Sequence, residues 1–147
     1  VEFPERVNYV GRLDKDSTGL LLLTNDGDLA NEIQRSRNNH EKEYHVRVNT
    51  DITEDFIKKM SEGVEILDTV TKPCKVKKTG TRNFSIILTQ GLNRQIRRMC
   101  DALHVRVVHL KRVRIMNIRL GSLRPGEFRT LTRDEEQELR RLVQKRS

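Results

Sequence analysis

One acidic side chain, Asp14, stands where a carboxylate could do chemistry. It lies in a predicted turn ahead of an uninterrupted leucine run, residues 20–23, which ends at the turn signal Asn25-Asp26-Gly27. Such a run predicts a strand that is buried on both faces. A carboxylate just before a buried strand has a fixed and partly dry position, which a nucleophile or a general base needs.

The same turn also has a simpler explanation. Asp and Ser ahead of an ordered element usually accept hydrogen bonds from nearby backbone amides, and Asp16 and Ser17 could both do so. Asp14 is then a surplus carboxylate without a structural task. From this stretch alone, both explanations of the turn, capping and chemistry, stay open.

A second group of candidate functional side chains lies in an arginine-rich helix that is predicted to follow Asn93 and to run to about Leu103. Its apolar stripe has the spacing i, i+3, i+4 and i+7 and consists of Ile96, Met99, Cys100 and Leu103. Arg97 falls at the border of this stripe, where a guanidinium is costly unless an acceptor meets it. We therefore expect Arg97 to pair with Asp14. Arg94 and Arg98 point toward solvent, which is compatible with phosphate binding.

The positive charge is concentrated at one end of the chain. The formal net charge is +8, yet residues 1–93 carry 14 Lys and Arg against 15 Asp and Glu, whereas residues 94–147 carry 15 against 6. Most of these cations are arginines, whose planar fork suits phosphate. The distribution predicts a polyanionic partner such as nucleic acid, with a generic solvated basic face as the alternative.

Composition excludes several classes of protein. A length of 147 residues fits one domain, and no apolar segment approaches the roughly 20 residues of a membrane span. The first residues lack a signal-peptide pattern, so we expect a cytoplasmic protein without membrane contact. Cys74 and Cys100 are far apart and the four histidines are scattered, so we expect reduced thiols and no metal site.

Strand and helix patterns alternate without a regular parallel βαβ period. The predicted strands are residues 20–23, 44–48, 64–66, 74–77, 84–89, 105–118 and 128–131. The predicted helices are residues 28–35, 51–61 and about 94–103, and a final helix that begins with the capping box Thr132-Arg133-Asp134-Glu135 and turns Leu139, Leu142 and Val143 inward. Together they predict an α+β domain in which a mostly antiparallel, mixed β-sheet has flanking helices.

Three ordered motifs resemble those of a known family, the RsuA-like branch of the RNA pseudouridine synthases. They are Gly11-Arg12-Leu13-Asp14 with the following Ser-Thr-Gly-Leu-Leu-Leu-Leu-Thr-Asn-Asp-Gly, then Lys42-Glu43-Tyr44, and then Gly91-Leu92-Asn93-Arg94-Gln95-Ile96-Arg97-Arg98-Met99. The resemblance covers nearly the whole chain. Residues 40–44 and 69–78 are further similar to the F-type large-subunit ribosomal pseudouridine synthases.

The resemblance implies a fold, an activity and site residues. Residues 1–147 would form the pseudouridine synthase catalytic domain, which isomerises a specific uridine of ribosomal RNA, of the 23S type, without cofactor, metal or obligatory protein partner. Asp14 would be the nucleophile, Tyr44 would stack on the flipped base, and Arg97 would pair with the aspartate. Leu110 would line the base pocket. Beside these matches, our candidates for RNA or substrate contacts are Arg12, Leu13, Lys15, Arg94, Gln95, Arg98 and Leu110.

Other interpretations of these features stay open. Tyr44 could be a core tyrosine whose hydroxyl reaches the rim, and the lysines of residues 72–78 could protect a solvated sheet edge. The chain could be a non-catalytic RNA-binding or ribosome-associated domain. A methyltransferase would need a glycine-rich nucleotide turn after its first strand, and the sequence has none there. Family members usually have an RNA-binding module and an earlier motif before Gly11, so we expect a catalytic-domain fragment.

Overall fold

The computed structural model describes residues 8–10, 13–34, 40–125 and 127–144. The strands are β1 Asn8–Val10, β2 Thr18–Gly19, β3 Leu22–Thr24, β4 Lys42–Val48, β5 Glu65–Ile66, β6 Thr69–Val70, β7 Lys75–Gly80, β8 Asn83–Leu88, β9 Val107–Ile115 and β10 Ile118–Arg119. The helices are α1 Gly27–Gln34, α2 Glu54–Glu62, α3 Gln95–Ala102 and α4 Arg133–Gln144. No helix among these residues is long and apolar enough to cross a membrane.

A six-stranded sheet organises the fold. Its strands follow the order β10-β9-β4-β8-β7, all antiparallel, and β2 joins it in parallel beside β9. Two further antiparallel pairs, β1 with β3 and β5 with β6, lie outside this sheet. The prediction of an α+β domain with a mostly antiparallel mixed sheet is confirmed.

Helices α2 and α3 bury one face of the central strands. Val46 and Val48 of β4 alternate with exposed residues, and they pack with Phe84 and Ile86 of β8 against the apolar stripes of both helices. Phe56 of α2 meets Phe84 edge to face, with ring centroids 5.5 Å apart. This cluster fixes the position of α3, which carries the arginines of the third motif.

A second apolar cluster covers the β9–β10 end of the same face. Ile115 and Ile118, which are paired across these two strands, pack with α1 and with Leu139 and Val143 of α4. The predicted capping box starts α4: the Glu135 amide donates to Thr132 Oγ1 at 3.1 Å, and the Thr132 amide donates to Glu135 Oε1 at 2.9 Å.

The leucine run is not the single doubly buried strand that its composition predicts. The chain leaves the central sheet after β2 and joins β1 through β3, so residues 20 and 21 form the crossing between two sheets. Leu20 and Leu22 are buried, whereas Leu21 and Leu23 are half-buried. An unbroken apolar pattern does not reveal such a change of partner.

Residues 105–118 form a hairpin and not one extended segment. Met116 has a φ of 53° and opens the turn between β9 and β10. A second short hairpin, β5–β6, turns at Leu67 and Asp68, whose φ values of 48° and 61° suit a primed turn. Neither turn contains the glycine that usually marks such positions, so the sequence prediction missed both.

Two other predicted boundaries differ from the structure. Residues 128–131 are not a strand, and Phe128 is 60% exposed. Local contacts such as the Arg129–Glu135 ion pair at 2.7 Å hold this segment instead of pairing with a strand. Helix α2 begins at Glu54 and not at residue 51, because Thr53 is its N-cap and accepts a hydrogen bond from the Phe56 amide at 3.1 Å.

Candidate active site

A cavity of about 280 Å³ opens on the helix-covered face of the sheet, beside the turn that carries Asp14. Strands β4 and β9 form one wall, and the start of α3 forms another. The lining residues are Leu13, Asp14, Ser17, Lys42, Tyr44, Leu88, Gln90, Gly91, Leu92, Arg94, Gln95, Ile96, Leu110 and Arg112. All three sequence motifs therefore contribute to a single cavity.

Asp14 lies at the rim of this cavity in a hydrogen-bonded turn. Its backbone oxygen accepts from the Ser17 amide at 3.0 Å, and its side chain is 35% exposed. Oδ2 of Asp14 lies 3.9 Å from Nη1 of Arg94. The carboxylate thus faces both the cavity and a guanidinium, and water reaches it.

Arg94 is the cation beside Asp14, although the sequence predicts it to face solvent. It occupies the left-handed region at the start of α3, with φ 48° and ψ 39°, which turns its side chain back over the Asp14 turn. Its two terminal nitrogens each donate to one carboxylate oxygen of Asp16 at 3.0 Å. This paired bond lowers the pKa of Asp16 to about 2.

The predicted pairing of Arg97 with Asp14 is corrected by the structure. Arg97 reaches the same turn two residues further on, where Nη2 donates to the Asp16 backbone oxygen at 2.8 Å and Nε lies 3.5 Å from Asp16 Oδ1. Its side chain is 13% exposed, as its position at the border of the stripe predicts. A helical wheel gives the direction of a side chain but not which residue of a facing turn it meets.

The wall opposite Asp14 is built from paired residues of β4 and β9. Tyr44 pairs with Arg112, and Val46 pairs with Leu110 in the next register position, so both pairs face the cavity side of the sheet. Leu110 is buried and Tyr44 is half-buried. An aromatic ring and an apolar floor therefore stand within the same cavity as the carboxylate.

Two cationic residues of this wall were missed by the sequence analysis. Lys42 lies two residues before Tyr44 on β4, and burial lowers the pKa of Lys42 to about 8, with Arg112 adding repulsion. Arg112 is 3% exposed, and its Nε donates to the Leu20 backbone oxygen at 2.9 Å. The strand period would have found both residues, because each lies two positions from a predicted site residue on the same strand face.

The remaining predicted contacts fall into distinct environments. Leu13 lines the cavity and Lys15 is exposed in the Asp14 turn. Gln95 also lines the cavity, and it is only 4% exposed. Its Oε1 accepts a hydrogen bond from the Leu92 amide at 3.1 Å, which stabilises the start of α3. Arg98 folds onto Asn93, donating to its backbone oxygen at 3.0 Å. Arg12 lies outside the described residues.

The geometry supports chemistry on a flat, uncharged ring attached to an anionic chain. A half-exposed carboxylate, an aromatic side chain and an apolar floor surround a space open on one side, and cations stand around it. Such cations would bind phosphates, while the apolar surfaces would hold a base that has left its stack.

Comparisons with known proteins agree with this geometry. Residues 2–102 match a family model described as RNA pseudouridylate synthase. The chain is 55% identical over 147 residues to the dual-specificity RNA pseudouridine synthase RluF of Escherichia coli, covering 100% of this chain and 51% of that protein. It is 35% identical over 146 residues to the ribosomal large subunit pseudouridine synthase B of Bacillus subtilis, covering 95% of this chain and 60% of that protein.

A solved structure is similar as well. The crystal structure of a pseudouridylate synthase superposes with a TM-score of 0.85 at 34% identity, over 92% of this chain and 59% of that one. The chain spans about half the length of the Escherichia coli relative.

Proposed function

The chain belongs to the RNA pseudouridylate synthase family, and on this premise we propose that the protein isomerises a specific uridine of ribosomal RNA, in the 23S molecule, to pseudouridine. One observation carries the proposal: Asp14 opens into the same cavity as Tyr44 and Leu110. These three residues come from separate parts of the chain, and the family resemblance assigns to them the nucleophile, the stacking ring and the pocket wall.

The reaction needs little beyond a positioned carboxylate. The bond between the ribose and the ring nitrogen breaks, the uracil turns, and a new bond forms between the same ribose carbon and carbon 5 of the ring. Carbon 5 then loses its proton and the freed nitrogen holds one, so no electrons leave the substrate. Asp14 starts this exchange by attack on the ribose, by attack on the uracil ring or by removal of a sugar proton.

The target base must leave its stack to reach Asp14, which costs a few kcal/mol. Stacking on the Tyr44 ring and contact with Leu110 offset part of this cost. Lys15, Arg94 and Arg98 lie around the mouth of the cavity or on the adjoining helix, and they bind the flanking phosphates. Arg94 has the further task of stabilising the negative charge of Asp14 from 3.9 Å away.

Arg97 acts on the reaction through the turn that it holds. Its bond to the Asp16 backbone oxygen fixes the turn that carries Asp14. We expect Arg97→Ala to lower kcat more than it weakens RNA binding, whereas Arg98→Ala weakens binding in a salt-dependent way and leaves kcat unchanged. An Arg97→Ala protein that keeps full turnover on saturating RNA would contradict this role.

The test of the activity uses the full-length protein and 23S RNA transcribed with uridine tritiated at carbon 5. Formation of pseudouridine releases that tritium to water, and Asp14→Asn is expected to abolish the release. The control is Asp55→Asn, which changes an exposed carboxylate on α2 that pairs only with Lys59 among the described residues. Equal release by the Asp14→Asn variant would refute the nucleophile, and RNA binding without release by the wild type would favour a non-catalytic binding domain.

A further inference from the structure

The strands that form the cavity wall have a second, open face. Because side chains alternate along a strand, the residues between those of the cavity wall point to the opposite side of the sheet. One row of paired residues crosses five strands there, and a second row crosses three. Together these rows define the open face, which consists of Thr18, Lys111, His45, Ser85, Lys77, His109, Arg47 and Asn83.

This face is open to solvent and carries one sign of charge. Seven of its eight residues are exposed and Ser85 is half-buried. Arg47, Lys77 and Lys111 form no ion pair with any residue that the structure describes. The nearest carboxylate along β4 on this side is Glu43, and it is already bonded to Arg114 at 3.0 Å.

The cations are spaced over a broad, flat surface. Neighbouring strands are about 4.8 Å apart, so Lys77 and Lys111, with two strands between them, lie roughly 14 Å apart along their row. The second row lies two residues away along β4, or about 7 Å. Between the cations stand imidazole, hydroxyl and amide groups, which also bond to phosphate and sugar oxygens. A surface of this size and composition is complementary to the backbone of a nucleic-acid helix.

The open face lies on the side of the sheet opposite the cavity. His45 lies between Tyr44 and Val46 on β4, and Lys111 lies between Leu110 and Arg112 on β9, so the two surfaces are opposite sides of the same strands. One sheet therefore separates two places at which a large folded RNA could be held.

We propose that the open face binds the phosphate backbone of a second helical segment of ribosomal RNA, separate from the segment that carries the target uridine. The inference rests on the proposed function, because it takes a large RNA to be the substrate. It adds a contact that holds the RNA without touching the reacting base.

The test compares two charge-matched triple variants of the full-length protein. The open-face variant is Arg47→Gln with Lys77→Gln and Lys111→Gln. The control is Lys58→Gln with Lys59→Gln and Lys72→Gln, which removes three exposed cations outside the open face. Binding of transcribed 23S RNA is measured between 50 and 300 mM salt, and tritium release is measured at saturating RNA.

The open-face variant is expected to bind about tenfold to a hundredfold more weakly near 150 mM salt, with a salt slope reduced by about 2 to 3. Its turnover at saturating RNA stays that of the wild type, because the cavity is unchanged. An affinity and slope equal to those of the control variant would overturn the proposal, and so would a loss of turnover at saturating RNA. If no protein releases tritium, the proposed activity fails, yet the binding comparison still decides the role of this face.

A second measurement identifies what covers the open face. A photoreactive benzophenone side chain at His45, in the middle of the longer row, is irradiated in the presence of 23S RNA. Crosslinks to RNA support the proposal, and their positions identify the bound segment. Crosslinks confined to another part of the same protein or to a second copy of it would overturn the proposal.

Discussion

Replacing Lys42 by methionine is expected to change how the stability of the protein depends on pH. Burial beside Arg112 lowers the pKa of Lys42 from 10.5 to about 8 in the folded protein. Below pH 8 the folded state holds this ammonium at a cost of about 3 kcal/mol, at about 1.4 kcal/mol for each pH unit of the shift. Between pH 8 and 10.5 the unfolded chain binds more protons than the folded one, so the cost falls as the pH rises.

Lys42→Met removes this titration while preserving most of the volume of the side chain. At pH 7 the variant should therefore have a higher free energy of unfolding than the wild type. This difference should be smaller at pH 10 by roughly 2 to 3 kcal/mol. Urea unfolding at pH 7, 8.5 and 10, followed by circular dichroism, measures the difference. Lys75→Met is the control, because Lys75 is an exposed strand lysine.

A constant difference between wild type and Lys42→Met from pH 7 to pH 10 would refute this reasoning. It would mean that Lys42 keeps its proton in the folded state, because water or a carboxylate replaces the solvation of the ammonium group that burial removes. The same change seen in Lys75→Met would assign the effect to the charge of the whole protein.

Three further outcomes are expected. Gly19→Ala should lower both turnover and melting temperature, because φ at Gly19 is +116° and the new methyl would lie 2.2 Å from a backbone oxygen of β9. Gly27→Ala is the control and should change neither, because nothing lies within 4 Å of the position of its new methyl. Thr53→Ala should destabilise the protein by about 1 kcal/mol in urea unfolding and Thr53→Ser by much less, because serine keeps the N-cap bond. Asp16→Asn should remove a stability term that is present above the ordinary aspartate pKa of 3.8 and lost as the pH falls through about 2, which acid unfolding of both proteins would detect.

The elements that could be predicted from the sequence are those with a local signature. The capping box at Thr132 and the apolar stripe of α3 describe interactions within a few residues, and both are present in the structure. The change of sheet after Gly19 depends on which distant strand each short segment meets. Long-range packing determines this strand pairing, and a run of identical leucines does not indicate it.

The candidate site shows the same division. The motifs bring Asp14, Tyr44 and Leu110 to one cavity, as the resemblance implies. The cation beside Asp14 is Arg94 and not Arg97, because a left-handed residue ahead of α3 redirects the first arginine. A positive φ at an arginine is rare, and propensity does not predict it. Lys42 lies at a position that the strand period indicates, whereas the lowering of its pKa depends on burial within a cavity whose walls come from separate parts of the chain.

The parallel contact between β2 and β9 has a consequence for the order of folding. Thr18 pairs with Lys111, about 90 residues later in the chain. The pairings of β4 with β8 and of β7 with β8 join residues that are closer together in the sequence. Closing a longer loop carries a higher entropic cost before any bond rewards it. We therefore expect the antiparallel group of β4, β8 and β7 to assemble first and the aspartate-bearing turn to dock last, so that refolded protein regains its secondary structure before it regains activity.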